Sequence, residues 1–282
     1  MVPRTEYVAK LGRTTDVYPG SPRSADPSRR STRRSRRPSS RRPAASACTS
    51  RRRTRRTRRR VSRSSTCTTG RTCSTASGAF GGNEWRVDET LDTGAEDGTI
   101  REVIVVAIDN TSDRMEEYTP SRDPDEGFGG KGDAYLSLVA TELKPRIDRD
   151  LRTMSGRSDT AILGSSLGGL ISVRAGTTRA ATFGRIGAMS PSTWWNGAAI
   201  VPEVLAMGAV RPDVVYVDSG DGGSGRGDDV ANTARLAAAF RALGYVDGKD
   251  LLYVMQPGGQ HDEASWASRL PKALAFLVGS GR

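Results

Sequence analysis

Beyond about residue 79, apolar positions fall in two alternating rhythms. Val103-Ile104-Val105-Val106-Ala107-Ile108 is a continuous, largely β-branched run, the pattern of a strand buried on both faces. Thr160-Ala161-Ile162-Leu163, Ile186-Gly187-Ala188-Met189, Val214-Val215-Tyr216-Val217 and Leu251-Leu252-Tyr253-Val254-Met255 repeat it. Between these runs the spacing is helical. Over Ala134 to Leu151 it puts Leu136, Leu138, Val139, Leu143 and Ile147 on one side. A helix-like stretch follows Thr160–Gly169, residues 229–243 read as an Ala/Leu/Arg-rich helix, and Glu263 to Val278 is a closing helix. The alternation predicts an α/β domain over 79–282, with a mostly parallel sheet flanked by helices. Reactive loops in such a sheet sit at the carboxyl ends of the strands.

Residues 21–75 break this rhythm. Arg, Ser, Thr and Pro dominate, and Arg51–Arg60 is the extreme. Such a stretch buries too little apolar area to offset its conformational entropy, which predicts a disordered segment over 1–78. Charge divides at the same place. The chain carries a formal +11, but residues 1–75 hold 22 of the 43 Lys+Arg and only three acids (Glu6, Asp16, Asp26). That is +19 before residue 76 and −8 after it. An arginine-rich arm raises nucleic-acid binding as a function class. No aromatic residue for stacking lies between Ser21 and Thr75, and the acidic body implies no nucleic-acid partner for the folded domain. No run of 18 apolar residues is present, so no membrane span is predicted. Met1 to Gly20 holds no apolar signal core, which makes a cytoplasmic location the expectation. The three cysteines (Cys48, Cys67, Cys73) lack CxxC spacing and the chain has one histidine, so neither a metal nor another cofactor is expected.

Gly164-Ser165-Ser166-Leu167-Gly168 matches G-x-S-x-G. The pattern follows a buried strand and precedes a helix, the setting of a turn that lifts the middle serine, Ser166, above a sheet. A serine hydroxyl needs a base to take its proton. His261, the lone histidine, lies in the glycine-rich loop after the last strand, where that base is required. An acid between the two should orient the imidazole. The loop Asp218-Ser219-Gly220-Asp221-Gly222-Gly223 follows the fourth strand, and Asp221 is the expected acid, with Asp218 and Asp228 as rivals. Asp228 or Asp229 has the competing task of capping the next helix. Gly127–Gly132 lacks the G-K-[ST] ending of a phosphate loop, and residues 218–229 lack the spacing of a calcium loop.

These stretches resemble the esterase family of α/β-hydrolases that includes enterochelin-type trilactone esterases and feruloyl esterases. The likeness is carried by Phe80-Gly81-Gly82-Asn83-Glu84-Trp85, Val105–Asn110, Glu117-Tyr118-Thr119-Pro120, the serine turn, Ser190-Pro191-Ser192-Thr193-Trp194-Trp195, and Gly258–Trp266. It runs nearly continuously over about 80–280. The resemblance implies hydrolysis of a small-molecule carboxylic ester through an acyl-enzyme. Ser166 would be the nucleophile, His261 the base, Asp221 the acid and the Leu167 N–H one oxyanion donor. Trp194 and Trp195 would lie near the pocket, with core packing as the alternative for both.

The family carries further strands upstream, and a motif similar to R-F-P-V-L-Y-M-H-D-G-Q-N-L-F-D just before the Phe80 stretch. That motif is missing here. Written in GC-rich codons and read one base later, it becomes V-S-R-S-S-T-C-T-T-G-R-T-C-S-T, which is Val61 to Thr75 residue for residue. The resemblance therefore implies that a stretch starting after Arg13 and ending near Thr75 is out of frame, leaving the N-terminal strands missing or disrupted. Two other outcomes stay open: an inactive or misfolded remnant of such an esterase, and nucleic-acid binding by the arm.

Overall fold

The computed structural model describes residues 7–11, 14–18, 62–67, 83–222 and 228–281. All described residues belong to one compact unit. Arg51–Arg60, Cys48, Cys73 and Phe80–Gly82 lie outside them, as does most of the segment expected to be disordered.

The strands in chain order begin with the antiparallel pair β1 (Tyr7–Leu11) and β2 (Thr14–Tyr18). Then come β3 (Ser62–Cys67), β4 (Val103–Ala107), the two-residue pair β5 (Arg122–Asp123) and β6 (Phe128–Gly129), and the short β7 (Thr153–Met154). The last four are β8 (Thr160–Ser165), β9 (Arg185–Met189), β10 (Val214–Gly220) and β11 (Leu251–Gln256). The main helices are α1 (Val87–Glu96), α2 (Arg114–Glu117), α3 (Gly132–Leu138), which runs through a π-turn into α4 (Lys144–Asp150), and α5 (Leu167–Thr178). They continue with α6 (Trp195–Ala198), α7 (Ile200–Leu205), α8 (Val230–Ala242) and α9 (Glu263–Val278).

The sheet order is β11-β10-β9-β8-β3-β4, parallel throughout, with β7 pairing the start of β3. All five strands expected from the apolar runs are present. Their side chains alternate between two cores, as a period of two requires. Ile104, Val106, Ile162, Val215 and Val217 face the side covered by α3, α4, α5, α7 and α8. Val103, Ala107, Ala161, Leu163, Val214 and Tyr216 face α1 and α9. Each large aliphatic or aromatic side chain so buried contributes about 1.5–3 kcal/mol. β8, β9 and β10 are buried along their whole length, whereas β11 is the edge and leaves Met255 exposed.

One expectation is corrected at β3. Disorder was expected over 1–78, yet Ser62–Cys67 is a sheet strand, paired on one side with β4 (Ser64 opposite Ile104) and on the other with β8 (Ser64 opposite Thr160). The pairing is backbone chemistry. Without β3 the facing edges of β4 and β8 would hold buried, unpaired N–H and C=O groups, each costing more than a made hydrogen bond returns. β1 and β2 are likewise paired, and β1 lies beside β4. What remains unusual is composition, because a strand in the middle of a two-sided parallel sheet is ordinarily apolar.

Candidate active site

β8 delivers Ser166 to the carboxyl edge of the sheet. Ser166 precedes α5 with φ 56° and ψ −126°, a strained region for a residue with a Cβ. The turn is held from both sides. The Ser166 N–H donates to Met189 O (3.0 Å), and Ser166 O accepts from the N–H groups of Leu170 and Ser192 (3.0 Å each). A Cβ on Gly169 would come within 3.0 Å of Pro191 Cα, so glycine is what lets the loop after β9 cross the first turn of α5. Leu167 opens α5, and the first N–H groups of a helix have no partner within it.

β11 delivers His261. Its ring stands edge-on to Trp266, with centroids 5.0 Å apart and planes at 82°. Its Nδ1 lies 2.5 Å from Asp228 Oδ1. With the proton on Nδ1, the imidazole donates to the carboxylate and leaves Nε2 as an acceptor. The Asp228 carboxylate is fully buried, and its other oxygen accepts from Ser190 Oγ (2.6 Å) and from the Gly220 N–H. Burial alone would raise the Asp228 pKa, but the bonds from His261, Ser190 and Gly220 outweigh it and hold the carboxyl below its usual range. The Ser166 hydroxyl sits 3.3 Å from Ser192 Oγ. Among the described residues it has no hydrogen bond to His261.

Residues 77–277 match the family described as "Putative esterase". The chain belongs to this family. Family membership makes it a carboxylic ester hydrolase by class. It is 26% identical over 206 residues to the uncharacterized protein YbbA of Bacillus subtilis (strain 168), covering 69% of this chain and 80% of that one. Among solved structures it is similar to the enterobactin esterase FES from Shigella flexneri, with a TM-score of 0.60 at 18% identity over 77% of this chain. It spans about half of that longer chain (52%). A ferulic acid esterase superposes with a TM-score of 0.59 at 20% identity, covering 78% of this chain and 86% of that one. The shared fold is of the α/β-hydrolase type.

The expected site residues separate in space. Ser166 follows the carboxyl end of β8, and His261 lies in the loop after β11. Asp221 does not meet the imidazole: it is exposed, accepts from the Gly258 N–H (2.5 Å), and ties the loop after β10 to the loop bearing His261. Asp228, a rival for the role in the sequence, is the carboxylate that meets the imidazole. Asp229 takes the capping role at α8, accepting from the Asn232 N–H.

Asp218 is fully buried and accepts from the Ser190 N–H and the Tyr216 hydroxyl. Burial raises its pKa to about 6, against the pull of Arg269 and hydrogen bonds from Tyr216 and Ser190. The unfolded chain ionises this carboxyl near 3.8, so the protonated form favours folding. Stability from it is complete below about pH 4 and is lost as pH rises to about 6. Glu263, also raised chiefly by burial, acts in the same direction. Denaturant titration at pH 4.5 and pH 7 should show a fall on the order of 2 kcal/mol that Asp218→Asn reduces. A stability that rises across this interval contradicts the assignment.

Of the two readings open for Trp195, its surroundings favour core packing: it is 1% exposed, its Nε1 donates to Ser121 O (2.8 Å), and it packs on Phe128. Trp194 is half-buried beside it and keeps a surface. A cleft of about 480 Å³ lined by Ile108, Lys131, Tyr135 and Val139 among others contains neither Ser166 nor His261. Among the described residues no cluster of His, Cys, Asp and Glu is placed to hold a metal ion, and no helix is long and apolar enough to cross a membrane. Sequence reasoning assigned no role to Ser190, Ser192 or Arg269. A signal for Arg269 was present: it lies in the apolar stripe of α9 with Trp266, Leu270, Ala273 and Leu277.

Proposed function

We propose that the chain hydrolyses small carboxylic esters through an acyl-enzyme on Ser166, with His261 as base and Asp228 as the orienting acid. The carrying observation is the 2.5 Å contact of His261 Nδ1 with the buried Asp228 carboxylate, in a chain that also holds Ser166 in a strained strand-to-helix turn at the carboxyl end of β8. Substrate binding turns the Ser166 hydroxyl from Ser192 toward His261 Nε2, and such bonds commonly tighten only in the complex. Oγ attacks the carbonyl carbon while Nε2 takes its proton. The imidazolium, paired with Asp228, passes that proton to the departing alcohol oxygen. Water then repeats the sequence and releases the acid. The Leu167 N–H is one donor to the oxyanion. The relatives direct the choice of substrate: FES has been solved in the presence of enterobactin, and another neighbour is a ferulic acid esterase. A panel of a catecholate trilactone, methyl ferulate and p-nitrophenyl acetate tests the class. No turnover of any of them by the folded protein overturns the reading.

Asp228 and Asp221 give opposite expectations. Asp228→Asn leaves the imidazole in the wrong tautomer and lowers kcat by about 10³–10⁴. Asp221→Asn, which removes a charge from an exposed loop contact, changes kcat less than about fivefold. Steady-state kinetics on the two variants compare them directly, and the reverse order of effects returns the role to Asp221.

A second reading is a protein that holds the triad without turning over. The observation favouring it is Ser-Arg-Ser-Ser-Thr-Cys in the middle of the sheet, one strand from the serine turn.

A further inference from the structure

Behind Asp228 lies a buried polar chain that the hydrolysis steps do not use. Ser190 ends β9 with φ 40°, a left-handed conformation that a serine adopts only under constraint. Its N–H is shared between the backbone oxygen (3.0 Å) and Oδ1 (2.9 Å) of Asp218. Its Oγ accepts from Trp266 Nε1 (3.0 Å) and from Arg269 Nη2 (2.7 Å). A hydroxyl has two acceptor positions and one hydrogen. Indole and guanidinium can only donate, so they fill both acceptor positions and leave the hydrogen one outlet, Asp228 Oδ2 at 2.6 Å.

Arg269 is anchored in turn. The guanidinium is nearly enclosed, Nη1 donates to Gln256 Oε1 (2.6 Å), and Nε faces Asp218 Oδ2 at 3.2 Å. The latter approach is an ion pair without an aligned hydrogen bond. Tyr216 OH donates to the same Asp218 oxygen (2.8 Å). Nη2 also lies 3.6 Å from Asp228 Oδ2. With both carboxylates ionised and the imidazole neutral, the charged groups of this cluster total −1. They total zero once the imidazolium forms. A buried cluster that becomes neutral as the base takes its proton favours that step over the resting state.

We propose that Ser190 and Arg269 are positioning residues. Arg269, held on Asp218 and Gln256, fixes the Ser190 hydroxyl so that it donates only to Asp228, and this keeps the carboxylate on His261. The inference deepens the triad reading and rests on it. Asp218 acts at one remove, as the counter-charge of the guanidinium.

The single histidine makes the test direct, because the one imidazole can be observed without ambiguity by nitrogen-labelled NMR. The wild-type protein should show a far-downfield Nδ1–H resonance from the bond to Asp228, and Asp228→Asn should abolish it. In Ser190→Ala that resonance broadens or vanishes, and kcat on p-nitrophenyl acetate falls about tenfold or more with KM within about twofold. If Ser190→Ala does not fold, the double variant Arg269→Met/Asp218→Asn, which removes both charges together, should give the same signature. A folded variant of either kind with the wild-type resonance overturns the proposal. Lower thermal stability with an unchanged resonance does so too, because that is the mark of a packing role alone. Ser166→Ala separates the two readings. If it keeps full hydrolysis, the proposed reaction fails while the resonance still reports on Ser190. If it is dead and Ser190→Ala is unaffected in both readouts, the reaction stands and the positioning role falls.

Discussion

Ser166→Ala reduces ester hydrolysis by about 10⁴–10⁶, to the level left by substrate binding and the oxyanion donor alone. The loss is that large because, among the described residues, Ser192 is the one hydroxyl bonded to Ser166, and it is poorly placed to replace the proposed nucleophile. Ser192 Oγ lies 3.3 Å from Ser166 Oγ, but Ser192 is buried and does not occupy the strained turn that raises Ser166 above the sheet. Removing one hydroxyl leaves the packing of α5 in place, so the variant should keep its thermal unfolding midpoint. The check is a single-substrate rate with the panel member turned over fastest, beside an unfolding curve. A Ser166→Ala protein with more than about one per cent of wild-type activity moves the nucleophile elsewhere.

Replacing Val61–Thr75 with the in-frame reading R-F-P-V-L-Y-M-H-D-G-Q-N-L-F-D should stabilise the protein by about 5 kcal/mol or more. The gain follows from the position of β3. β3 runs between β4 and β8, whose neighbouring side chains are almost all buried, so Val, Leu, Tyr and Met there enter two existing cores. Each fully buried side chain of that size contributes about 1.5–3 kcal/mol, and a partly collapsed unfolded chain lowers the sum. Chemical denaturation of the two proteins measures the difference. Resequencing the gene is the independent check. An intact frame encoding the Arg-rich segment, in a protein that gains nothing from the replacement, removes the frame argument. If turnover appears only after replacement, the chain as given is the triad-bearing but inactive form.

The arginine-rich segment thereby changes in meaning. The +19 before residue 76 first suggested a nucleic-acid arm. Ser62–Cys67 pairs with two strands of the sheet, and the proposed one-base shift would place Arg, Ser, Thr and Cys there without calling on a nucleic-acid partner.

The apolar rhythm by itself determined the architecture. Val103–Ile108, Thr160–Leu163, Ile186–Met189, Val214–Val217 and Leu251–Met255 are strands because continuous β-branched and aliphatic runs can be buried on both faces of a parallel sheet. Gly164–Gly168 between strand and helix was enough to place Ser166, since the chemistry of that turn is local. His261 was legible as the proposed base because the chain has one histidine. The carboxylate that meets it was not legible. Asp218, Asp221 and Asp228 lie within eleven residues, and which of them faces an imidazole more than thirty residues away depends on how two loops cross. β3 was hidden for a related reason: its hydrogen bonds come from β4 and β8, and backbone pairing leaves no trace in side-chain pattern. Ser190 and Arg269 acquire their roles only where β9, β10 and α9 converge. Local residue chemistry decided the elements and the strained turn that holds Ser166, and the contacts between distant segments decided what surrounds them.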